Sequence, residues 1–241
     1  MASIDFSPIS LVFLLFAFVY LAGLVYVAIL ERRRTQEEGE STVHLFSLIV
    51  PAHNEQLVIG DCLDSLLDLD YPVNQVEILV VDDGSTDSTA SIVCSVAERW
   101  AGRVGILQVP TEESSQGKAR ALNRGFHYLA GTSRFRNERD WVIGIFDADG
   151  LPDSKMLKKA SFQLAAPTVA GVQASVRIQN REASWLSRMQ DIEFAGFSRV
   201  TQMIRMRVSS SAALGGNGQF VRAAALQHVA LDAPEIGRAH V

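Results

Sequence analysis

The chain opens on an apolar run with almost no polar punctuation. From Ile9 to Leu30 the residues ISLVFLLFAFVYLAGLVYVAIL hold no charge over 22 positions. A helix of that length spans about 33 Å at about 1.5 Å per residue, enough to cross a bilayer. The run stops at Glu31-Arg32-Arg33-Arg34, and the polar stretch ERRRTQEEGEST reads as a linker. Beyond it the pattern changes to short β-rich apolar runs: Leu45 to Val50, Val76 to Val81, Val104 to Val109, Trp141 to Phe146 and Val169 to Val176. Helix-like stretches separate them at Glu55 to Leu69, Asp87 to Trp100, Lys118 to Ala130 and Ser154 to Ala165. Apolar strands alternating with helices predict an α/β domain, a mostly parallel sheet with helices on both faces. No repeat of fixed period and no low-complexity tract interrupts it.

Charge sharpens the division. Of 49 acidic and basic residues, only Asp5 precedes Glu31. A cleaved leader would begin with basic residues and end at a small-residue cleavage site, so the run predicts a retained anchor. A buried core helix is the competing reading, but soluble cores seldom hold so long an apolar run. The three arginines on its C-terminal flank place the remainder on the cytoplasmic side of the cell (inner) membrane. The expected parts are an N-terminal tail at 1–8, a single transmembrane helix at 9–30, a linker at 31–43 and an α/β domain at 44–233. With 22 basic against 27 acidic residues the net charge is −5, which argues against nucleic acid as a partner. Cys62 and Cys94 form no CxxC pair or disulfide framework, as suits a reducing compartment.

In a parallel α/β sheet, ligands sit beyond the carboxyl ends of the strands. The first apolar run is followed there by Pro51-Ala52-His53-Asn54-Glu55, the second by Asp82-Asp83-Gly84-Ser85-Thr86-Asp87, and the fourth by Asp147-Ala148-Asp149. Acidic residues thus gather on one edge, where like charges repel unless a cation joins them. Carboxylates without a thiol or imidazole partner suit Mg2+ or Mn2+, hard ions that share their oxygen ligands with substrate phosphate. Asp147 and Asp149 lie two apart, a spacing that points both to one face of an extended chain. A solvated turn is the bland alternative for this pair. Asp87 is explained by helix capping, with Ser85 and Thr86 as alternative caps, whereas paired aspartates directly after a buried strand are costly without a partner. His53 reads more readily as a loop or packed residue than as a metal ligand. A phosphate loop is excluded because Gly117-Lys118 is followed by Ala119, and the second strand lacks the GxGxxG of dinucleotide sites.

Six segments together carry a resemblance: Pro51-Ala52-His53-Asn54-Glu55, Asp82-Asp83-Gly84-Ser85, Gly117-Lys118-Ala119-Arg120-Ala121-Leu122-Asn123, Asp147-Ala148-Asp149, Val172-Gln173-Ala174 and Gly215-Gly216-Asn217-Gly218-Gln219-Phe220. Their order and approximate spacing resemble family 2 glycosyltransferases, in the membrane-bound branch of cellulose, chitin, hyaluronan, poly-N-acetylglucosamine and glucosyl-diacylglycerol synthases. The resemblance covers about residues 44 to 230 and implies a GT-A-like nucleotide-diphospho-sugar transferase fold. It implies an inverting hexosyltransferase that passes a sugar from a UDP-sugar donor to a lipid or growing glycan acceptor. Donor binding then falls to Pro51, Ala52, Asn54, Glu55, Asp82, Asp83, Lys118, Asp147 and Asp149. Asp147 and Asp149 meet the Mg2+ or Mn2+. Gln173, Gly216, Asn217, Gly218 and Gln219 face the donor sugar and acceptor; a flexible turn is the plain alternative for the glycines.

The sequence departs from that family after Phe220. The family's Thr-Glu-Asp-like base motif and its Gln-x-x-Arg-Trp motif do not occur between Phe220 and Val241. The last residues, Glu235 to Val241, resemble adapter read-through, so 234–241 is expected to be an artificial tail and the chain an inactive, C-terminally truncated fragment. Residues 182–208 carry Trp185, Met189, Ile192, Val200 and Met203 at helical spacing, which fits a packed helix or one on a membrane surface. Two rival readings stay open: a non-catalytic, membrane-tethered nucleotide-sugar-binding relative, and a nucleotidyltransferase.

Overall fold

A computed structural model describes residues 8–34, 43–114, 117–177, 184–192, 202, 205–206, 211 and 213–226. Residues 35–42 of the linker expected at 31–43, most of 193–210 and the expected artificial tail at 234–241 lie outside these residues. The chain divides into two compact units, one comprising 1–39 and 175–213, the other 40–174 and 214–241.

The first unit contains α1 (Pro8–Arg34) and α6 (Trp185–Ile192). α1 exposes apolar side chains on all sides, among them Leu11, Phe13, Phe16, Phe18 and Val25. Several of its other side chains lie outside the described set, and among the described residues no helix is long and apolar enough to cross a membrane. The span expected at 9–30 therefore rests on the sequence. α6 realises only part of the helix expected over 182–208, and the remainder lies mostly outside the described residues. Its Asp191 is held by Arg177 through paired hydrogen bonds of 3.0 and 2.9 Å.

The second unit is an α/β layer structure. Its strands are β1 (Leu45–Ala52), β2 (Val76–Asp82), β3 (Val104–Gln108), β4 (Trp141–Ile145), β5 (Gly171–Gln173) and β6 (Gln219–Arg222), in the order β3-β2-β1-β4-β6-β5. β3, β2, β1 and β4 run parallel, and β6 lies antiparallel between β4 and β5. The helices are α2 (Ile59–Leu67), α3 (Thr89–Arg99), α4 (Lys118–Thr132) and α5 (Met156–Leu164). Alternate strand side chains face opposite cores, as the pleat requires. Phe46, Leu48, Val50, Ile78, Val80 and Val142 pack with α2, α3 and α5, whereas Ile49, Leu79, Val81 and Ile143 pack with α4. Each fully buried Leu, Ile, Val or Phe contributes about 1.5–3 kcal/mol, so both faces are strongly held. A polar tie crosses the α4 side: Trp141 Nε1 donates to Ser47 Oγ at 2.8 Å, and Ser47 Oγ donates to Glu77 Oε1 at 2.5 Å.

The fifth strand, the second helix and one further strand depart most from expectation. The fifth strand, expected over Val169 to Val176, narrows to Gly171–Gln173. The second helix starts at Ile59 rather than Glu55, because the backbone before it is bonded to the neighbouring loop: the Glu55 amide donates to Thr89 Oγ1 and the Gln56 amide to Asp87 Oδ2. A sixth strand, β6, is present that the apolar pattern does not mark. It is anchored by Phe220, fully buried and edge-on to Phe46 and Phe146 with ring centroids 5.7 and 5.8 Å away.

α4 approaches the sheet so closely that Gly125 has no room for a side chain. A Cβ there would stand 2.9 Å from Val81 Cγ2 and 3.0 Å from Ile49 Cγ2, whereas one at Gly131 of the same helix meets nothing within 4 Å. Gly125→Ala is expected to destabilise this unit by about 1–3 kcal/mol through overpacking. Gly131→Ala should stabilise it by about 0.5–1 kcal/mol through helix propensity. Urea unfolding of both variants measures the pair, and equal effects would contradict the close approach.

Candidate functional site

The parallel core sends the ends of β2 and β4 out on either side of β1. Ala52 pairs with Asp82 in register, and Ile49 pairs with Ile145, so both acidic loops leave from the same edge of adjacent strands. Asp82 is buried at the end of β2, where its Oδ1 accepts the Ser85 amide at 3.0 Å. That bond answers the cost of a carboxylate beside an apolar strand. Asp83 sits half-buried beyond it, with its amide donated to the Ala52 carbonyl at 2.9 Å. Pro51 and Ala52 belong to β1 itself, and Ala52 is part of the core.

The first two loops are stitched together. Asn54 takes φ 58°, a left-handed conformation that asparagine tolerates better than most residues. Its Oδ1 accepts the Thr86 amide at 2.8 Å, and its own amide donates to Ser85 Oγ at 3.0 Å. His53 Nδ1 donates to the Asp83 carbonyl at 2.8 Å, while Asn54 Nδ2 donates to His53 Nε2 at 3.2 Å. The imidazole is thus a loop tie with its proton on Nδ1. Asp87 Oδ1 accepts the Thr89 amide at 2.9 Å, filling a capping role at the start of α3. The side chain of Asn54 and the backbone of Glu55 hold this double loop.

Asp147 is the junction of the other half. Its carboxylate is ion-paired with Lys118 Nζ, at the first residue of α4. A cation at a helix N-terminus is unfavourable by itself; the carboxylate across the gap supplies the opposing charge. The Asp147 amide donates to Asn217 Oδ1 at 3.3 Å, and its carbonyl receives the Cys62 thiol at 3.5 Å. Asp149, two residues on, is exposed. Gly216 and Gly218 have φ of 88° and 67°, values that glycine adopts without strain. A Cβ on Gly216 would lie 3.6 Å from Lys118 Nζ. Gln173 bonds to the same loop, through Oε1 to the Gly215 amide at 2.8 Å and Nε2 to the Asn217 carbonyl at 2.7 Å. Gln219 Oε1 accepts the Gly216 amide at 3.1 Å.

The structure therefore brings Lys118, Asp147, Gln173, Gly216, Asn217, Gly218 and Gln219 into one connected set. Asn54, Glu55, Asp82 and Asp83 form a second set on the same strand edge. Among the described residues no group of three or more His, Cys, Asp or Glu side chains could hold a metal. Asp147 and Asp149 offer two carboxylates, which fits an ion that takes one or two from protein and the remainder from substrate phosphate and water.

Sequence reasoning missed Cys62, which lies on α2 and is fully buried beneath the Asp147 turn. Nothing in its spacing pointed there. Burial, reinforced by the charges of Asp149 and Asp147, pushes its thiol from 9.0 up to about 12. Iodoacetamide near neutral pH should therefore spare Cys62 in the folded chain and label it only on unfolding, as peptide mapping would report. Below pH 9 both states keep this proton; from pH 9 towards 12 only the unfolded thiol loses it, so stability declines as pH rises. Cys62→Ala should flatten that decline in urea midpoints, and an unchanged slope would reject the assignment.

The sequence pattern of glycosyltransferase like family 2 matches residues 44–238. A beta-monoglucosyldiacylglycerol synthase of Synechocystis is 31% identical over 182 residues, covering 76% of this chain and 36% of that protein. A poly-beta-1,6-N-acetyl-D-glucosamine synthase of Staphylococcus epidermidis is 30% identical over 149 residues, covering 62% and 32%. The mannosyltransferase PcManGT of Pyrobaculum calidifontis, solved with GDP-Man and Mn2+, superposes with a TM-score of 0.57 at 25% identity, over 88% of this chain and 57% of that one. The chain spans well under half the length of these two curated relatives. With its GT-A-like α/β sheet and the acidic loops at its carboxyl edge, the chain belongs to glycosyltransferase like family 2.

Proposed function

We propose that this chain carries the donor site of a membrane-anchored, inverting glycosyltransferase that takes a UDP-sugar and serves a lipid or growing glycan acceptor. The observation that carries the reading is the placement of Asp82-Asp83 and Asp147-x-Asp149 on strands that flank β1, opening onto one edge. The double loop of Pro51 to Glu55 and Asp82 to Ser85 would receive the nucleoside. Asp147 and Asp149 would hold Mg2+ or Mn2+, and the Mn2+ and GDP-Man bound by PcManGT support a divalent ion and a nucleotide sugar. That ion, when bound, offsets charge on the departing diphosphate.

In the reaction the acceptor hydroxyl attacks the anomeric carbon, a carbon–oxygen bond to the diphosphate breaks, and the hydroxyl proton passes to a base. Lys118 adds positive charge beside the diphosphate, and the glycine-rich loop closes the sugar end. In this proposal Asp82, Asp83, Asp147 and Asp149 all serve the donor. The names of the Synechocystis and Staphylococcus relatives support a glycolipid or polysaccharide acceptor. The uncharged run at 9–30 and the arginines at 32–34 support a single span with the α/β unit on the inner side of the cell membrane.

Asp149→Asn is expected to abolish Mn2+-dependent UDP-sugar binding in calorimetry while leaving circular dichroism and the urea midpoint unchanged. Retained Mn2+-dependent affinity would defeat the assignment. In donor assays with candidate acceptors, release of UDP would support sugar transfer and release of pyrophosphate would support nucleotidyl transfer. Deleting residues 1–34 should release the chain from carbonate-washed membranes; continued sedimentation would remove the anchor from the proposal.

A further inference from the structure

The resemblance alone would place Gln173 against the donor sugar, but the hydrogen bonds it already makes say otherwise. A glutamine amide has two N–H donors and one oxygen acceptor. In Gln173 both donor directions are used, Nε2 reaching the Asn217 carbonyl at 2.7 Å and the Ala174 carbonyl at 3.1 Å. Its Oε1 accepts the Gly215 amide at 2.8 Å. Asn217 in turn presents Oδ1 to the Asp147 amide at 3.3 Å, and its side-chain amide sits 3.5 and 3.7 Å from where a Cβ on Gly150 would stand. The backbone runs alongside: the Gly218 amide donates to the Ile145 carbonyl at 2.8 Å, and the Ala174 amide to the Gly218 carbonyl at 2.7 Å.

Three strands meet in this row. Ile145 of β4 and Gln173 of β5 both pair with Gln219 of β6, and Gln219 Oε1 accepts the Gly216 amide. The glycine loop is therefore clamped by a glutamine on each side. Its conformation is set against Asp147, whose carboxylate is paired with Lys118.

We infer that Gln173 is a positioning residue, which holds the 215–219 loop in register with the Asp147 turn through Asn217 and acts on the donor through Asp147 rather than by touching the sugar. The inference rests on the donor site proposed above. A sugar contact and a positioning role differ in what they do to a ligand without a sugar. If Gln173 binds the sugar, its loss weakens UDP-glucose and spares UDP. If it positions the loop, both weaken alike, and the loop loosens with no ligand present.

The test compares the 241-residue chain with Gln173→Met, which loses both hydrogen-bonding atoms, and Gln173→Glu, which retains the acceptor for Gly215 and loses the donor to Asn217. Hydrogen exchange of the free chain should show the amides of Gly215, Gly218 and Asp147 opening about tenfold or more faster in Gln173→Met, which loses three neutral bonds of modest net strength. Gln173→Glu should give a smaller acceleration, weighted towards Asp147. The β1 and β2 amides should be unchanged, which separates loosening of the loop from loss of the fold. Calorimetry with Mn2+ present should show UDP and UDP-glucose weakened by the same factor. Unchanged exchange at the three amides, or a loss confined to UDP-glucose, would overturn the inference. Failure of the parent chain to bind either nucleotide would count against the proposed donor site alone, because the exchange measurement still decides the positioning role.

Discussion

Asp147 is the point through which the rest of the site is held. It follows the end of β4, and three other elements reach it: α4 through the Lys118 ammonium on its carboxylate, α2 through the Cys62 thiol on its carbonyl, and the loop before β6 through Asn217 on its amide. Each contact is modest by itself, and the ion pair is partly exposed, so its free-energy contribution is screened. Their joint effect is geometric. A single residue with its amide, carbonyl and side chain all engaged has little freedom to turn, and Asp149 two positions on inherits that orientation.

The fold supplies this junction because four parallel strands end on one edge. Burial of the sheet on both faces keeps the strand ends in register to within the packing tolerance of the core, and Gly125 shows how tight that tolerance is. The acidic loops then emerge from strands on either side of β1. What differs between them is how charge is answered. At β2 the buried Asp82 is met by a backbone amide, whereas at β4 the half-buried Asp147 is met by a lysine. The first arrangement holds the carboxylate by a backbone bond; the second places a lysine cation beside the carboxylate of Asp147.

Cys62 illustrates a cost of that arrangement. A thiol packed beneath two aspartates stays protonated, so it serves as a weak donor and filler and is ill suited to be a nucleophile or metal ligand. Its place under the turn explains why a small, weakly polar residue on the buried face of α2 suits this position better than a larger aliphatic one.

Much of this was legible from residue order alone. The apolar runs located β1 to β4, the 3.6-residue stretches located α2 to α5, and the aspartates after β2 and β4 fell at the carboxyl edge where the donor site is proposed, because burial on both faces forces continuous apolar strands and pushes polar chemistry to their ends. β6 was not legible: a four-residue strand after a glycine-rich loop has no period of its own, and it exists because Phe220 finds a pocket between Phe46 and Phe146 that only the assembled core provides. The roles of Asn54, Gln173, Asn217 and Cys62 were hidden for the same reason. Their partners are 31, 44, 70 and 85 residues away in the chain, and hydrogen bonds at such separations follow from packing, not from local pattern.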